Sequence, residues 1–211
     1  MLLGLVAFCG TPAFSHVGPF PEGFQNTVLF GGFYLPTAVR FAPDGHVFII
    51  EKYGKLSAYD SLTDSSATVV KDFESQLWAH HDHGMLGLAV DPQLPTSPYV
   101  YVMYAIRGSP GGRISRIEID PATDQQVGNE VVLVEGWCQI YPSHGVGDLQ
   151  FGPDGALYAT AGDGASFNIV DWGQDEPYNA DNSPLGPCTC NDPLMEGGAL
   201  RTQDLRTSGD P

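Results

Sequence analysis

One hairpin phrase occurs twice in this chain, and it limits the fold more than any other feature. Val39-Arg-Phe-Ala-Pro-Asp-Gly-His-Val-Phe48 aligns position by position with Leu149-Gln-Phe-Gly-Pro-Asp-Gly-Ala-Leu-Tyr158. In each, Pro suits the first corner of a tight turn, and Gly supplies the positive φ that closes it. The flanking apolar and aromatic residues read as strands. A degenerate copy lies between, Leu86-Gly-Leu-Ala-Val-Asp-Pro92 followed by Tyr99-Val-Tyr-Val-Met-Tyr104.

A second pair of strands follows each of the first two copies. Gly54–Tyr59 goes with Ala67–Val70, and Arg113–Ile119 with Glu130–Val134. Four short strands recurring at roughly fifty-residue spacing predict the four-stranded antiparallel blades of a β-propeller. Helical periodicity is weak, and the 26 Gly and 17 Pro residues supply dense turn signals; both fit an all-β chain. About two and a half blades are legible, fewer than the four to eight that close a propeller.

The second hairpin carries candidate chemistry at its mouth. With direct pairing, Phe151 faces Ala156, and the extended ladder brings His144 opposite Asp163. A bulge at Gly155 would slip the register by one residue and still keep the two side chains near each other. A carboxylate beside a histidine fixes the imidazole tautomer and stabilises its protonated form, the requirement for a general base. Buried structural histidine and Asx-turn aspartate are the competing assignments for these two residues.

Composition narrows the partners. The formal charge is −16, from 25 acidic and 9 basic residues. This argues against nucleic acid and anionic membranes as partners. No run beyond the start is long enough to span a bilayer. Residues 1–15 read as a signal-peptide-like segment, with an apolar run Leu2–Phe8 and a small-x-small site at Ala13-Phe14-Ser15, and predict a secreted or periplasmic protein. In that setting Cys138 pairs with Cys188 or Cys190, whereas Cys9 leaves with the signal.

Ser143-His144-x-x-Gly-Asp-Leu-x-Phe-Gly-Pro-Asp-Gly155, followed by Gly162-Asp-Gly164, resembles the soluble quinoprotein glucose/sorbosone dehydrogenases. Gly84-Met-Leu-Gly-Leu-Ala-Val-Asp-Pro92 and Leu35-Pro-Thr-Ala-Val-Arg-Phe-Ala-Pro-Asp-Gly45 are similar to two further stretches of that family. The resemblance is clearest over about residues 34–170 and runs more weakly to the end. Residues 34–211 are therefore expected to be the N-terminal portion of its domain. The resemblance implies a six-bladed propeller, of which this chain covers roughly the first half. It implies pyrroloquinoline quinone (PQQ) and calcium as cofactors, an aldose-type sugar as substrate, a lactone as product and an external electron acceptor. It assigns His144 as the base and Asp163 as its orienting partner. Asp82, Ser143 and Asn168 fall at substrate-binding positions. The glucose-oxidising members carry an acidic residue where Ser143 stands, and glutamines where Asp82 and Asn168 stand. These departures point to the broader aldose or sorbosone branch. The family's quinone-gripping cations and most calcium ligands lie in later blades, beyond Pro211, so no cofactor or metal ligand is assigned here. The alternative is a secreted, non-catalytic propeller that binds a carbohydrate or protein partner.

Other features read more plainly. His80-His81-Asp82-His83 invites a metal, but neighbours in extended chain point to opposite faces. It is read as an active-site loop with His83 or Asp82 near the substrate. Trp78, Trp137 and Trp172 are read as core covers before sugar platforms. The acidic stretch 171–184 lacks EF-hand spacing and is read as a solvated insertion.

Overall fold

The structure is a computed structural model that describes residues 21–108, 111–138 and 144–162. The signal-like segment, the acidic stretch, Trp172, Cys188 and Cys190 lie outside the described residues.

The first sheet is a meander of four antiparallel strands: β1 (Pro36–Phe41), β2 (Val47–Glu51), β3 (Lys55–Tyr59) and β4 (Thr68–Asp72). The second repeats it with β5 (Met85–Val90), β6 (Tyr99–Ala105), β7 (Gly111–Ile119) and β8 (Gln126–Cys138). A hairpin of β9 (Val146–Phe151) and β10 (Leu157–Ala161) begins a third unit. The strands drawn from sequence are thus all present, in the expected order. No helix among the described residues is long and apolar enough to cross a membrane.

The two copies of the turn phrase fold alike. Phe41 pairs with Val47, and Phe151 with Leu157. In each, the residue before Pro donates to the carbonyl of the residue after Gly: Ala42 N to His46 O, 2.8 Å, and Gly152 N to Ala156 O, 2.9 Å. Asp44 Oδ1 and Asp154 Oδ1 accept the backbone amides of His46 and Ala156 at 3.2 and 3.1 Å. Gly45 and Gly155 take φ of 104° and 79°, a region closed to most side chains. The second hairpin therefore starts in the slipped register, not the direct one. A further irregularity between Ala159 and Ala161 returns it, so that Ala161 pairs with Val146.

Strand alternation explains why the sheets stack. In β2, Phe48 and Ile50 face the core shared with the second sheet, while Val47 and Ile49 face Phe30, Phe33 and Tyr59. In β6, Val100, Val102 and Tyr104 enter the shared core, and Met103 faces Val146 and Leu149 of the hairpin. Central strands buried on both faces need continuous apolar runs, which is what Val47–Ile50 supplies. The first strands meet: β5 packs on β1 and β9. They border a cavity of about 640 Å³ lined by Thr37, Arg40, Leu86, Asp148 and Thr160 among others. Arg40 and Asp148 form an ion pair across it.

A polar clamp ties the outer strands of the two sheets. Glu130 on β8 accepts from Tyr104 Oη at 2.6 Å, Ser115 Oγ at 2.5 Å and Lys71 Nζ of β4 at 3.0 Å. Burial pushes the Glu130 carboxyl up, but the three donors outweigh it and hold it below its usual 4.5. A depressed carboxylate contributes stability above its unfolded pKa and loses it as pH falls through the folded one. Glu130→Gln should therefore cost about 2 kcal/mol at neutral pH. It should also flatten the loss of stability below pH 4.5. Urea melts across pH check both; an unchanged acid limb would exclude Glu130 as its source.

Candidate active site

Of the residues that sequence and resemblance single out, Asp82, His83 and His144 lie at one end of the sheets. The loop between β4 and β5 crosses from the first sheet to the second there. It is held by its backbone: Leu77 bridges Ile106, and Trp78 N donates to Ala105 O at 2.9 Å. Arg107 binds it from the second sheet, Nη2 to Glu74 O at 2.9 Å and Nε to Leu77 O at 3.2 Å. Met85 N donates to Lys52 O at 2.9 Å, and Lys52 Nζ donates to His81 O. An anchored loop can hold a side chain to the tolerance catalysis needs.

That loop delivers Asp82 to His144. The backbone N–H of His144 donates to Asp82 Oδ2 at 3.3 Å. Both side chains are exposed at the rim. His144 has φ of 48° and His81 φ of 46°, a left-handed conformation uncommon for residues other than glycine. Such conformations persist only where surroundings over-determine them, and they gather at functional sites.

His83 is fully buried, in contrast to the exposed His80, His81 and Asp82 before it. Its ring meets Trp78 edge-on at 4.8 Å and lies under Gly145. A Cβ on Gly145 would fall 2.7 Å from His83 Cδ2, so only glycine lets the His144 segment cross here. Gly162 N then donates to Gly145 O at 2.7 Å, which extends the hairpin ladder to the residue next to His144.

Of the residues predicted for the site, the structure brings His144 and Asp82 together. Ser143, Asp163 and Asn168 lie outside the described residues. Of the pair offered for substrate contact, Asp82 is at the rim and His83 is not. Trp78 is half-buried and packs on His80 and His83 instead of filling the main core. The side chains of Trp137 and Cys138 lie outside the described set. The roles of Gly145 and His83 went unread, because a close approach between two loops leaves no local sequence signal.

Of what a quinone-dependent sugar site would need, the described residues offer an exposed histidine, its backbone amide against the Asp82 carboxylate. They do not supply its cationic grip: Lys52 and Arg107, at this end, are held by backbone carbonyls.

Comparison with known proteins identifies relatives of the chain. The curated quinoprotein glucose dehydrogenase B of Acinetobacter calcoaceticus is 27% identical over 151 residues, which is 67% of this chain and 31% of that protein. A solved oxidoreductase described as a glucose dehydrogenase, from Thermus thermophilus, is 28% identical with a TM-score of 0.55 and covers 64% of this chain and 39% of its own. The PQQ-bound aldose sugar dehydrogenase of Streptomyces coelicolor shares the fold, with a TM-score of 0.58 at 21% identity over 66% of this chain and 41% of its own. The chain thus spans about a third of the curated relative and two fifths of the solved ones. Residues 33–183 match the family model for glucose/sorbosone dehydrogenase, and the chain belongs to that family.

Proposed function

We propose that this chain is part of a PQQ-dependent oxidoreductase that oxidises an aldose-type sugar at its CH–OH group to a lactone. The observation that carries the reading is the contact of Asp82 with the His144 backbone amide, made between two separate loops, where the resemblance expects the base. The propeller would be the family's six-bladed ring, completed by blades other than those described here. PQQ, with calcium polarising its carbonyl, supplies the hydride acceptor when bound.

His144 takes the proton from the anomeric hydroxyl through its imidazole. Asp163, which follows Gly162 in the sequence, orients that ring and stabilises its protonated form. Asp82 fixes the His144 backbone and faces the sugar, with Ser143 and Asn168 as further substrate contacts. An electron acceptor outside the protein completes turnover, and the signal-like residues 1–15 support a place of action outside the cytoplasm.

The test is acceptor-dye reduction by the native protein, loaded with PQQ and calcium, across a panel of aldoses. Turnover that requires both PQQ and sugar supports the reading; none with any aldose overturns it. Asp82 is a positioning residue and gives a separate outcome. Asp82→Ala should lower kcat about tenfold, whereas Asp82→Asn, which keeps an acceptor for the His144 amide, should recover most of it. Equal rates for the two variants would remove the amide contact from the account.

A further inference from the structure

The opposite end of the sheets holds a second cluster, unrelated to the proposed chemistry. His46 closes the first Pro-Asp-Gly turn. Its Nε2 lies 3.4 Å from Asp124 Oδ1 and 3.9 Å from Asp60 Oδ1, and its Nδ1 lies 3.1 Å from Asp44 Oδ1. One ligand atom from each of His46, Asp60 and Asp124 falls within 4.8 Å of the others. His46 and Asp60 come from the first sheet, and Asp124 from the β7–β8 turn of the second. From this geometry we infer a divalent metal site of the zinc class, held by His46 Nε2, Asp124 Oδ1 and Asp60 Oδ1, that staples the two sheets together.

Asp124 carries the argument beyond a cluster of acids. Its side chain is only 3% exposed, and its Oδ1 accepts no hydrogen bond. A buried carboxylate oxygen without a donor is costly and calls for a cation. The turn that aims it is itself strained, with φ of 55° at Asp124 and its N–H donating to Asp120 O at 2.7 Å. Burial pushes the Asp124 carboxyl up, with His46 opposing.

The donor spacing suits a small ion. Ligands at about 2.0–2.2 Å around a tetrahedral centre stand roughly 3.2–3.6 Å apart. His46 and Asp124 already have that separation. Asp60 is 81% exposed, and a small rotation brings it in. Asp44 Oδ1 lies 3.1 Å from the other ring nitrogen, Nδ1, so Nε2 is the nitrogen that faces the ion. A water would complete the set. The imidazole nitrogen separates this site from calcium, which takes six to eight oxygens.

The test uses the full chain stripped with chelator and titrated with zinc, cobalt(II) and calcium. The readouts are metal content after dialysis, cobalt visible absorption and thermal unfolding. One equivalent of zinc or cobalt is expected, with a raised Tm and no competition from calcium. His46→Gln and Asp60→Asn should each weaken binding at least tenfold. Asp60 is a surface side chain, so its variant keeps the fold and separates lost affinity from unfolding. Three results would overturn the site: equal binding by wild type and Asp60→Asn, a preference for calcium, or no binding by folded wild type.

Discussion

Replacing His144 by alanine should cut aldose-dependent acceptor reduction by about 10²–10⁴-fold, the usual contribution of a positioned general base. The loss should appear in kcat, with KM changed only a few-fold, because the proton moves in the transition state and not on binding. His144→Asn is the companion variant. Asparagine tolerates the left-handed backbone at this position, where φ is 48°. It therefore keeps the loop path and loses only the base. Both variants should unfold at the wild-type denaturant midpoint, since the side chain lies at the rim. Full activity in either would remove His144 from the mechanism. Loss in alanine alone would show that the backbone, not the imidazole, was being measured.

Phe73→Ala should destabilise the chain by about 3–5 kcal/mol, a large part of the 5–15 kcal/mol typical of whole domains. Phe73 is fully buried at the exit of β4, with its ring 5.4 Å from Tyr104 and Lys71 Nζ 4.5 Å above it. Its backbone starts the loop that carries Asp82: Phe73 N donates to Gly54 O at 2.9 Å, and Phe73 O accepts Gln76 N at 2.8 Å. One truncation therefore opens a cavity between the sheets and loosens the footing of the site. The denaturant midpoint should fall while the slope stays the same. Phe24→Ala, at a residue 58% exposed, is the control and should change stability by less than about 0.5 kcal/mol. A Phe73 cost near that of the control would contradict the packing described.

The two turn phrases made the blades legible because their order is local. Proline, aspartate and glycine set the turn within four residues, and alternation sets the faces. The register of the second hairpin was less legible. Its slip at Gly155 was foreseen as an alternative, but the return at Ala159–Ala161 sits beside the crossing of Gly145 over His83, a contact across the chain that leaves no local signal. His144 stood out in the sequence from its motif. That Asp82 meets it at the backbone amide could not be read, because the anchoring runs through Lys52, Arg107 and Ala105 in two sheets. The His46–Asp60–Asp124 cluster was missed for the same reason. Its members are scattered along the chain, and His46 reads there as one more strand residue.

The central claim is that the site does chemistry on a sugar and does not merely hold one. A single-turnover experiment tests it most directly: PQQ-loaded native protein mixed with one equivalent of a bound aldose and no external acceptor. The account predicts reduced quinone and lactone in equal amounts. Sugar that binds but is recovered unchanged, with the quinone still oxidised, would contradict it and leave a carbohydrate-binding propeller.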